Sequence, residues 1–272
     1  LPGSKPDGVS VLAFFLTAGF CFWGTTILNI WFSFAGVLLY CLVMKKKPGA
    51  MANAFLFSTG LAPLITEMLF RYPGEAWHGF TGLGIVLALA VGIFIGFIFP
   101  AVLPHSPQMH KGYDLYNAAV PIGLIAFFLR SLLYKIFTSA PPASENVGLA
   151  DSFLPLSIGF CLVVFLLAII WGLALGGGKE YGRLLRDSGY NVDYGTKYGS
   201  GAAILNFGVY GLFIVLYYLL IGAKWNAATL GCVFCMVCCC YKGSHPANVW
   251  PIMVGYVAAS YIAEFVCGLT GA

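Results

Sequence analysis

The amino-acid sequence predicts an all-α, polytopic membrane protein that forms a single membrane domain over residues 1–272. Hydrophobic residues make up 60% of the chain and charged residues only 9%, whereas about a quarter of the residues of a soluble domain are charged. Residues 153–175 form an uncharged run of 23 residues, which as a helix would cross the roughly 30 Å hydrocarbon core of a bilayer. The apolar runs are continuous and do not alternate with polar residues, so they predict helices and not the strands of a β-barrel.

An internal repeat is the third observation behind this fold class. The segment Gly243–Gly255 resembles Gly24–Gly36, which lies 219 residues earlier. The matched pairs are Gly24 with Gly243, Thr25 with Ser244, Asn29 with Asn248, Trp31 with Trp250, Gly36 with Gly255 and, upstream, Asp7 with Asn226 and Ser10 with Thr229. A competing match at an offset of 177 pairs Gly24–Asn29 with Gly201–Asn206, but it rests mostly on common apolar residues. We therefore favour the longer offset as the repeat.

The repeat also predicts where the longest apolar stretch is interrupted. Val9–Met44 has 36 residues and would form a helix about 54 Å long, which is too long for one crossing. Because its second copy is broken by Gly243–Asn248, we expect a break near Gly24–Asn29. About eight or nine membrane segments result, of which the third and the eighth are candidates for re-entrant half-helices. The predicted segments are 9–23, 29–44, 49–70, 78–103, 116–137, 153–175, 201–222, 226–241 and 249–270.

The distribution of Lys and Arg predicts the orientation of these segments. With the N-terminus in the cytoplasm, most of the basic residues fall on the cytoplasmic side and four fall outside. The four are Arg71, Arg130, Lys135 and Lys224. The two copies of the repeat then begin at the first and eighth segments, so they enter the membrane from opposite sides, as in many secondary transporters and channels.

The offset divides the chain unequally. Residues 1–200 would form a first repeat that begins mid-repeat and ends in a cytoplasmic loop, 176–200, and residues 201–272 would form part of a second repeat. Two complete repeats would need about twice the offset. The rest of the second repeat is therefore expected from a longer protein or from another subunit, and we expect a homo-oligomer or an assembly with other membrane subunits.

Glu67 is the first candidate for a functional residue, because polar side chains at membrane depth are costly and usually face a cavity or a partner. It follows Pro63 in an interrupted segment, where freed carbonyl groups could bind a cation or a proton. The alternative is an ion pair with Arg71, four residues further along the helix.

Two further groups of polar residues are candidates for substrate binding. The first contains His110, Tyr116 and Asn117, where an Asn side chain offers both a donor and an acceptor to a neutral or zwitterionic solute, or instead caps a helix. The second consists of the two breaks. It contains Asn29, His245 and Asn248, which would meet near a pseudo-twofold axis and expose helix ends to a substrate, or would merely form tight turns before helices. We include all seven residues in the predicted site.

The sequence contains no motif typical of a metal site, a cofactor site or an enzyme. We find no metal-ligand spacing of His, Cys and Asp, no Gly-x-Ser-x-Gly and no phosphate-binding Gly-rich loop. Five cysteines crowd residues 232–240, but in a membrane helix they are expected at a helix contact rather than around a metal. The net charge of +4 is spread over loops and does not predict nucleic-acid binding. We expect no enzyme activity, no cofactor and no metal, and only His110 with Asp114 offers a candidate pair for an intramembrane enzyme.

Three motifs resemble those of a known family. Leu56-Phe-Ser-Thr-Gly-Leu-Ala-Pro-Leu-Ile-Thr-Glu67, His110-Lys-Gly-Tyr-Asp-Leu-Tyr-Asn117 and His245-Pro-Ala-Asn-Val-Trp-Pro251 are similar to segments of an uncharacterised bacterial family of multi-pass membrane proteins, classified as a domain of unknown function. The resemblance implies two related halves in a longer protein and a place in the bacterial inner membrane. This chain lacks second-half counterparts of the first two motifs. Residues 112–117 are also locally similar to the Gly-Leu-Tyr-Gly-Phe-Asn segment of urea channels.

These observations favour a membrane transport protein, either a secondary transporter or a channel, which moves a small polar solute or an ion through polar helix breaks near the bilayer midplane. The expected partners are the lipid bilayer, that solute or ion, and the other membrane subunits. The alternative function is that of a non-transporting structural or accessory subunit of a larger membrane assembly. The transport hypothesis predicts that the candidate residues converge on one cavity, whereas the accessory-subunit hypothesis predicts that they are scattered.

Overall fold

The computed structural model describes residues 4–5, 7–111, 118–142 and 153–267. Within these ranges the regular elements are all helices and there is no strand, which confirms the all-α prediction. In chain order the helices are α1 (Gly8–Cys21), α2 (Ile30–Val43), α3 (Ala52–Ser58), α4 (Ala62–Phe70), α5 (Gly82–Val102), α6 (Ser106–His110), α7 (Ala119–Ser131), α8 (Leu154–Ala174), α9 (Gly178–Leu184), α10 (Tyr194–Leu220), α11 (Ala227–Val237) and α12 (Pro246–Cys267). Short 3₁₀ segments lie at Pro48–Met51, Thr59–Leu61, Leu103–His105 and Cys238–Tyr241, and a π-helix extends α7 over Leu132–Ile136.

Five helical stretches in the described residues are long and apolar enough to cross a membrane. They are Pro48–Phe70, Gly82–Met109, Ala119–Ile136, Leu154–Ala174 and Tyr194–Leu220. Gly8–Cys21, Ile30–Val43 and Ala227–Tyr241 are shorter apolar helices. The protein is therefore a helical membrane protein. The predicted break of the first apolar stretch is present between α1 and α2.

Polar residues fix where several helices begin. Asp7 caps α1, since its carboxylate accepts a hydrogen bond from the Ser10 N–H at 2.9 Å. Asn226 caps α11 in the same way, through the Thr229 N–H at 2.8 Å. Such caps satisfy N–H groups that have no partner inside the helix. The two caps occupy equivalent positions of the repeat, so the copies begin with the same local structure.

Two helix starts differ from the sequence prediction by four residues or more. We predicted the seventh segment from residue 201, but α10 begins at Tyr194 because Asp193 caps it. Gly199 inside α10 has φ +85°, a conformation that favours glycine, and separates the first turn from the apolar part of the helix. The predicted segment therefore corresponds to the apolar part of α10. Helix α5 begins at Gly82 instead of residue 78, since Thr81 caps its first turn.

Helices α1 and α11 pack against each other in opposite directions. At the end of α1, the Trp23 indole N–H donates to the Ala228 carbonyl near the start of α11, at 3.1 Å. In the middle of the pair, the Cys235 Sγ lies 3.9 Å from the Leu16 carbonyl oxygen. Leu16 and Cys235 are equivalent positions of the repeat. When equivalent residues of two copies contact each other in an antiparallel pair, a local twofold axis passes between them. The first helices of the two copies, α1 and α11, thus run in opposite directions, as an inverted repeat predicts.

Glycines bring the other main helix pairs into close contact. Gly36 of α2 faces Gly96 of α5, where an added Cβ would lie 2.8 Å from the Gly96 Cα. Gly172 of α8 faces Leu205 of α10, with a corresponding distance of 2.5 Å to the Leu205 backbone nitrogen. Small residues permit this approach of two backbones in membrane helices. One apolar core lies among α1, α2, α3, α4, α5 and α7, the other lies among α8, α10 and α11, and the α1–α11 pair joins them.

Candidate functional site

The break between α1 and α2 is a tight turn closed by Asn29. The Asn29 Oδ1 accepts from the Thr26 N–H at 2.8 Å, and its Nδ2 donates to the Gly24 carbonyl at 2.8 Å. Gly24 has φ +101°, which a residue with a Cβ would rarely adopt. The side chain of Asn29 therefore holds the chain in the turn between the two helices.

The break between α11 and α12 repeats both of these side-chain hydrogen bonds. The Asn248 Oδ1 accepts from the His245 N–H at 3.0 Å, and its Nδ2 donates to the Gly243 carbonyl at 2.7 Å. Gly243 has φ +121°. By contrast, Gly201 and Asn206, which the competing offset of 177 would match to Gly24 and Asn29, lie inside helix α10. The geometry of the turns thus supports the offset of 219.

The two turns lie at opposite ends of the α1–α11 pair. The first follows Trp23, which contacts the start of α11. The second follows Lys242, whose ammonium lies 3.5 Å from the Asp193 carboxylate. The same carboxylate packs against Gly8, the first residue of α1, so the second turn lies near the start of α1. The 14 residues of α1 separate the two levels by about 21 Å at 1.5 Å per residue. The turns do not meet at a common point.

The first turn is tied to α4 and, next to it, to a buried ion pair. The Asn29 Nδ2 also donates to the Thr66 Oγ1 at 2.8 Å. The neighbouring residue, Glu67, pairs with Arg71 at 3.2 Å and accepts a hydrogen bond from the Tyr134 hydroxyl at 3.0 Å. We call Glu67, Arg71 and Tyr134 the Glu67 cluster. Asn29 and Glu67 therefore lie near each other, because Asn29 binds Thr66 and Thr66 directly precedes Glu67 in α4.

Backbone carbonyl groups also bind the arginine of the Glu67 cluster. Arg71 is only 5% exposed, and its guanidinium also donates to the carbonyls of Glu75 at 3.0 Å and Pro141 at 2.7 Å. Tyr134 lies in the π-helix, a local widening of a helix that is frequent at functional sites. A buried charge needs such partners to be tolerated. The ion pair that the sequence offered as the alternative role of Glu67 is therefore present.

The second turn is tied to the loop between α9 and α10. The Asn248 Nδ2 points toward the Ser188 carbonyl at 3.4 Å, and the Tyr194 hydroxyl donates to the Gly243 carbonyl at 2.8 Å. His245 is 1% exposed, and its Nε2 lies 2.9 Å from the Asp187 carbonyl oxygen. Because a carbonyl only accepts, this nitrogen carries the proton. The structure therefore brings His245 and Asn248 together on one turn.

Asp187 stabilises this loop through its carboxylate. Its Oδ2 accepts from the Lys197 ammonium and from the Tyr198 hydroxyl, both at 2.6 Å, and its Oδ1 accepts from the Gly189 N–H at 3.0 Å. Burial alone would raise the pKa of Asp187, but these hydrogen bonds and the charge of Lys197 lower it to about 2. We call Asp187, Lys197 and Tyr198 the Asp187 cluster. The Asp187 carboxylate is therefore ionised at neutral pH, and the Lys197 ammonium balances its charge.

Two buried acceptors beside the second turn lack a hydrogen-bond partner among the described residues. Asn206 is fully buried, and its Nδ2 donates to the carbonyls of Cys240 at 3.0 Å and Ser244 at 2.9 Å, while its Oδ1 has no partner. The Nδ1 of His245 also has none. Unpaired buried acceptors are costly and are usually satisfied by water or a ligand. The second turn could therefore accept a hydrogen bond from a further donor. The side chain of Asn29 in the first turn is fully paired and offers no such acceptor.

Two of the seven predicted site residues lie outside what the structure describes, and the side chain of a third is not described. Tyr116 and Asn117 fall outside the described residues, and only the backbone of His110 is described, at the end of α6. The residues that hold the turns, Thr66, Asp187 and Asn206, were not predicted. Asn206 carried a signal, since it is a polar residue at membrane depth in an apolar run.

The cysteine-rich segment packs as a helix contact. Cys235 and Cys238–Cys240 are buried and unpaired as disulfides. Within the described residues no group of three or more His, Cys, Asp or Glu side chains could hold a metal ion. Their small, polarizable side chains lie where α11 meets α1 and α10.

Comparison with known proteins gives a family and no activity. No curated protein matches the chain, and no solved structure matches it. A family model described as "Protein of unknown function (DUF1576)" matches residues 1–135 and 178–266. These two segments cover most of the chain, and they contain both turns, the Glu67 cluster and the Asp187 cluster. The chain therefore belongs to this family of proteins of unknown function.

Proposed function

We propose that the protein transports a small polar solute or an ion across the membrane. The observation that carries this proposal is the α1–α11 pair, in which two inverted copies of one helix–turn–helix unit pack antiparallel about a local twofold axis. Inverted repeats built from interrupted helices are typical of secondary transporters, in which one copy moves relative to the other.

In this proposal the two turns close the two ends of the pathway. We predicted from the sequence that both turns contribute to one midplane site, but their separation of about 21 Å is too large for one site and supports a place at opposite ends. The first turn is held by Thr66 and lies beside the Glu67 cluster. The second is held by Asn206, Tyr194 and the Asp187 loop. The same turn held by different partners can be released at one end while the other stays closed, which is the requirement for alternating access.

A flux screen in proteoliposomes tests this proposal. The purified protein is reconstituted, and the uptake of a panel of neutral, zwitterionic and ionic small solutes is compared with that of protein-free liposomes. We expect one solute class to enter faster with the wild-type protein, and we expect Glu67→Gln, Asn206→Ala and Asn117→Ala to reduce that flux. Glu180→Gln is the matched control, because Glu180 lies on the surface in an ion pair with Arg183. The absence of flux for every class, or equal loss in the control, would refute the transport proposal.

A second candidate, the accessory membrane subunit, is favoured by the surface of α12. Gly36 of α2 packs closely on α5, but its equivalent in α12, Gly255, has nothing within 4 Å of an added Cβ. Most of α12 beyond Met253 is exposed. Among the described residues, α12 thus lacks a counterpart of α5. If this candidate is correct, Gly255→Cys should cross-link to another polypeptide in native membranes, and the flux screen should be negative.

A further inference from the structure

The two turns of the repeat differ at one position that can bind a proton. His245 of the second turn is equivalent to Thr26 of the first, and the backbone N–H of each donates to the Oδ1 of the asparagine in its own turn. Residues 24–29 contain no titratable side chain, whereas residues 243–248 contain His245. A histidine side chain ordinarily titrates near pH 6.5. A change of pH near neutrality can therefore act directly on the second turn and not on the first.

The closed turn encloses the ring of His245 in its neutral form. The residue is 1% exposed, and its Nε2 donates to the Asp187 carbonyl at 2.9 Å. The other ring nitrogen, Nδ1, is buried and has no hydrogen-bond partner among the described residues. A proton on Nδ1 would add a charge and an unpaired donor inside this enclosure, and both are costly. Burial accordingly lowers the pKa of His245, and the hydrogen bond to the Asp187 carbonyl and the charge of Asp187 offset only part of this effect.

The charged groups nearest to the second turn are already paired. The Asp187 carboxylate binds the Lys197 ammonium at 2.6 Å, so it is not a free counter-ion for a protonated ring. The Asp193 carboxylate lies 3.5 Å from the Lys242 ammonium. The remaining titratable groups around the turn are a carboxylate, hydroxyls and thiols, on Asp7, Tyr181, Tyr194, Tyr198, Cys240 and Tyr241. Among all these types of side chain, only histidine ordinarily titrates between about pH 7.5 and about pH 5.5.

Release of the second turn would expose this ring to water. The turn is held against α10 and the loop before it by hydrogen bonds at Gly243, Ser244 and His245. When these bonds open, the ring becomes hydrated and its pKa returns to about 6.5. The released turn then binds a proton more tightly than the closed turn. Because the pKa is lower in the closed turn, the closed turn is most stable above about pH 6.5 and loses stability relative to the released turn as the pH falls below that value.

We infer that His245 is a proton-binding site that controls the second turn, and that a proton on its Nδ1 releases this turn while the first turn stays closed. The equivalent Thr26 carries no group that titrates near neutrality, so the two ends of the α1–α11 pair respond differently to acid. The inference concerns the conformation of the turn and does not depend on the transport proposal. If both are correct, the proton is the ion that opens this end of the pathway.

The labelling of buried cysteines in detergent micelles tests the inference. In a background without the nine native cysteines, Ser244→Cys and its equivalent Thr25→Cys each place a thiol at a buried position, 1% and 5% exposed in the native protein. A maleimide reaches either thiol when its turn opens. Each rate is divided by the rate of the exposed Ile27→Cys at the same pH, which removes the effect of pH on the thiol. From about pH 7.5 to about pH 5.5 the relative rate of Ser244→Cys should rise by up to about tenfold, as proton binding at a pKa of about 6.5 requires, and that of Thr25→Cys should stay constant.

A second variant assigns the effect to His245. His245→Gln removes the titrating ring and keeps an N–H that can donate to the same carbonyl, so the relative rate of Ser244→Cys should no longer depend on pH. His105→Gln is the matched control, because His105 is exposed and lies outside the second turn, and it should keep the rise. A rise that persists in His245→Gln, an equal rise in both turns, or no rise in the second turn would each overturn the inference.

Hydrogen exchange of the unmodified protein gives the same test without any substitution. Peptides that cover residues 243–248 and 24–29 are compared by mass spectrometry over the same pH range, after correction for the intrinsic dependence of amide exchange on pH. We expect the corrected exchange of the second turn to accelerate in acid and that of the first turn to remain constant. An equal response of the two turns would overturn the inference even if the variants fold poorly. A negative flux screen would leave this result unaffected.

Discussion

Replacing the asparagine of each turn by alanine should destabilise the protein by different amounts. Asn29 is 1% exposed and makes three hydrogen bonds of 2.8 Å, to the Thr26 N–H, the Gly24 carbonyl and the Thr66 hydroxyl. A hydrogen bond of this kind contributes about 1 kcal/mol, so Asn29→Ala should lower the free energy of unfolding by about 3 kcal/mol. Asn248 makes two good bonds and one long contact of 3.4 Å. Since Asn248 is partly exposed, water can replace its bonds, and the loss should be about 1 kcal/mol.

The assay is unfolding of the purified protein in mixed micelles as a function of the fraction of sodium dodecyl sulfate. A double-mutant cycle adds the test of the longest-range bond. Thr66→Val removes the hydroxyl that accepts from Asn29, and Asn29→Ala with Thr66→Val should therefore cost about 1 kcal/mol less than the sum of the two single changes. Equal destabilisation by Asn29→Ala and Asn248→Ala, together with additive effects at Asn29 and Thr66, would refute the assignment of the first turn as the more tightly held.

Three further predictions concern other contacts. Glu67→Ala should destabilise the protein by about 3–5 kcal/mol in the same assay, because the buried charge of Arg71 would lose its carboxylate partner. Glu67→Gln retains an acceptor and should destabilise the protein less. Equal destabilisation by the two variants would contradict a role of the ion pair in stability. Gly96→Ala should shift the unfolding midpoint strongly downward, since the added Cβ would overlap the Ser33 carbonyl of α2, whereas Gly123→Ala, where nothing lies within 4 Å of a Cβ, should not. The pKa of Asp187 in the folded protein is lowered to about 2, so its stabilising effect should be complete above about pH 4 and lost as the pH falls toward 2. The difference in thermal midpoint between the wild type and Asp187→Asn should therefore shrink as the pH falls from about 4 toward 2. A constant difference from pH 6 to pH 2 would contradict this prediction.

The helices and both turns could be predicted from the sequence because their causes are local. The length of the apolar runs requires helices, and the recurrence of Gly24 and Asn29 as Gly243 and Asn248 marks the two turns. The bonds that close each turn join residues only three to five positions apart. A pattern of this kind can be read in a single sequence.

The partners that hold the turns could not be predicted, because they lie far away along the chain. Thr66 is 37 residues from Asn29, and Asp187 is 58 residues from His245. Neither a loop aspartate nor a threonine in a helix shows in the sequence which turn it contacts. The separation of the turns also depended on the packing of α1 against α11. The antiparallel pair follows from the inverted repeat, but the level at which the helices cross is fixed by side chains such as Leu16 and Cys235.

The sidedness of the two turns tests the central claim, the inversion of the two copies, most directly. In a background without the nine native cysteines, single cysteines are introduced as Ile27→Cys in the first turn and Ala247→Cys in the second, both at exposed positions. Ser188→Cys, in the exposed loop against the second turn, is the control for that side. Right-side-out and inverted vesicles are then treated with a membrane-impermeant maleimide. The inverted repeat predicts that Ile27→Cys reacts from one side of the membrane and that Ala247→Cys and Ser188→Cys react from the other, whereas labelling of all three from the same side would contradict it.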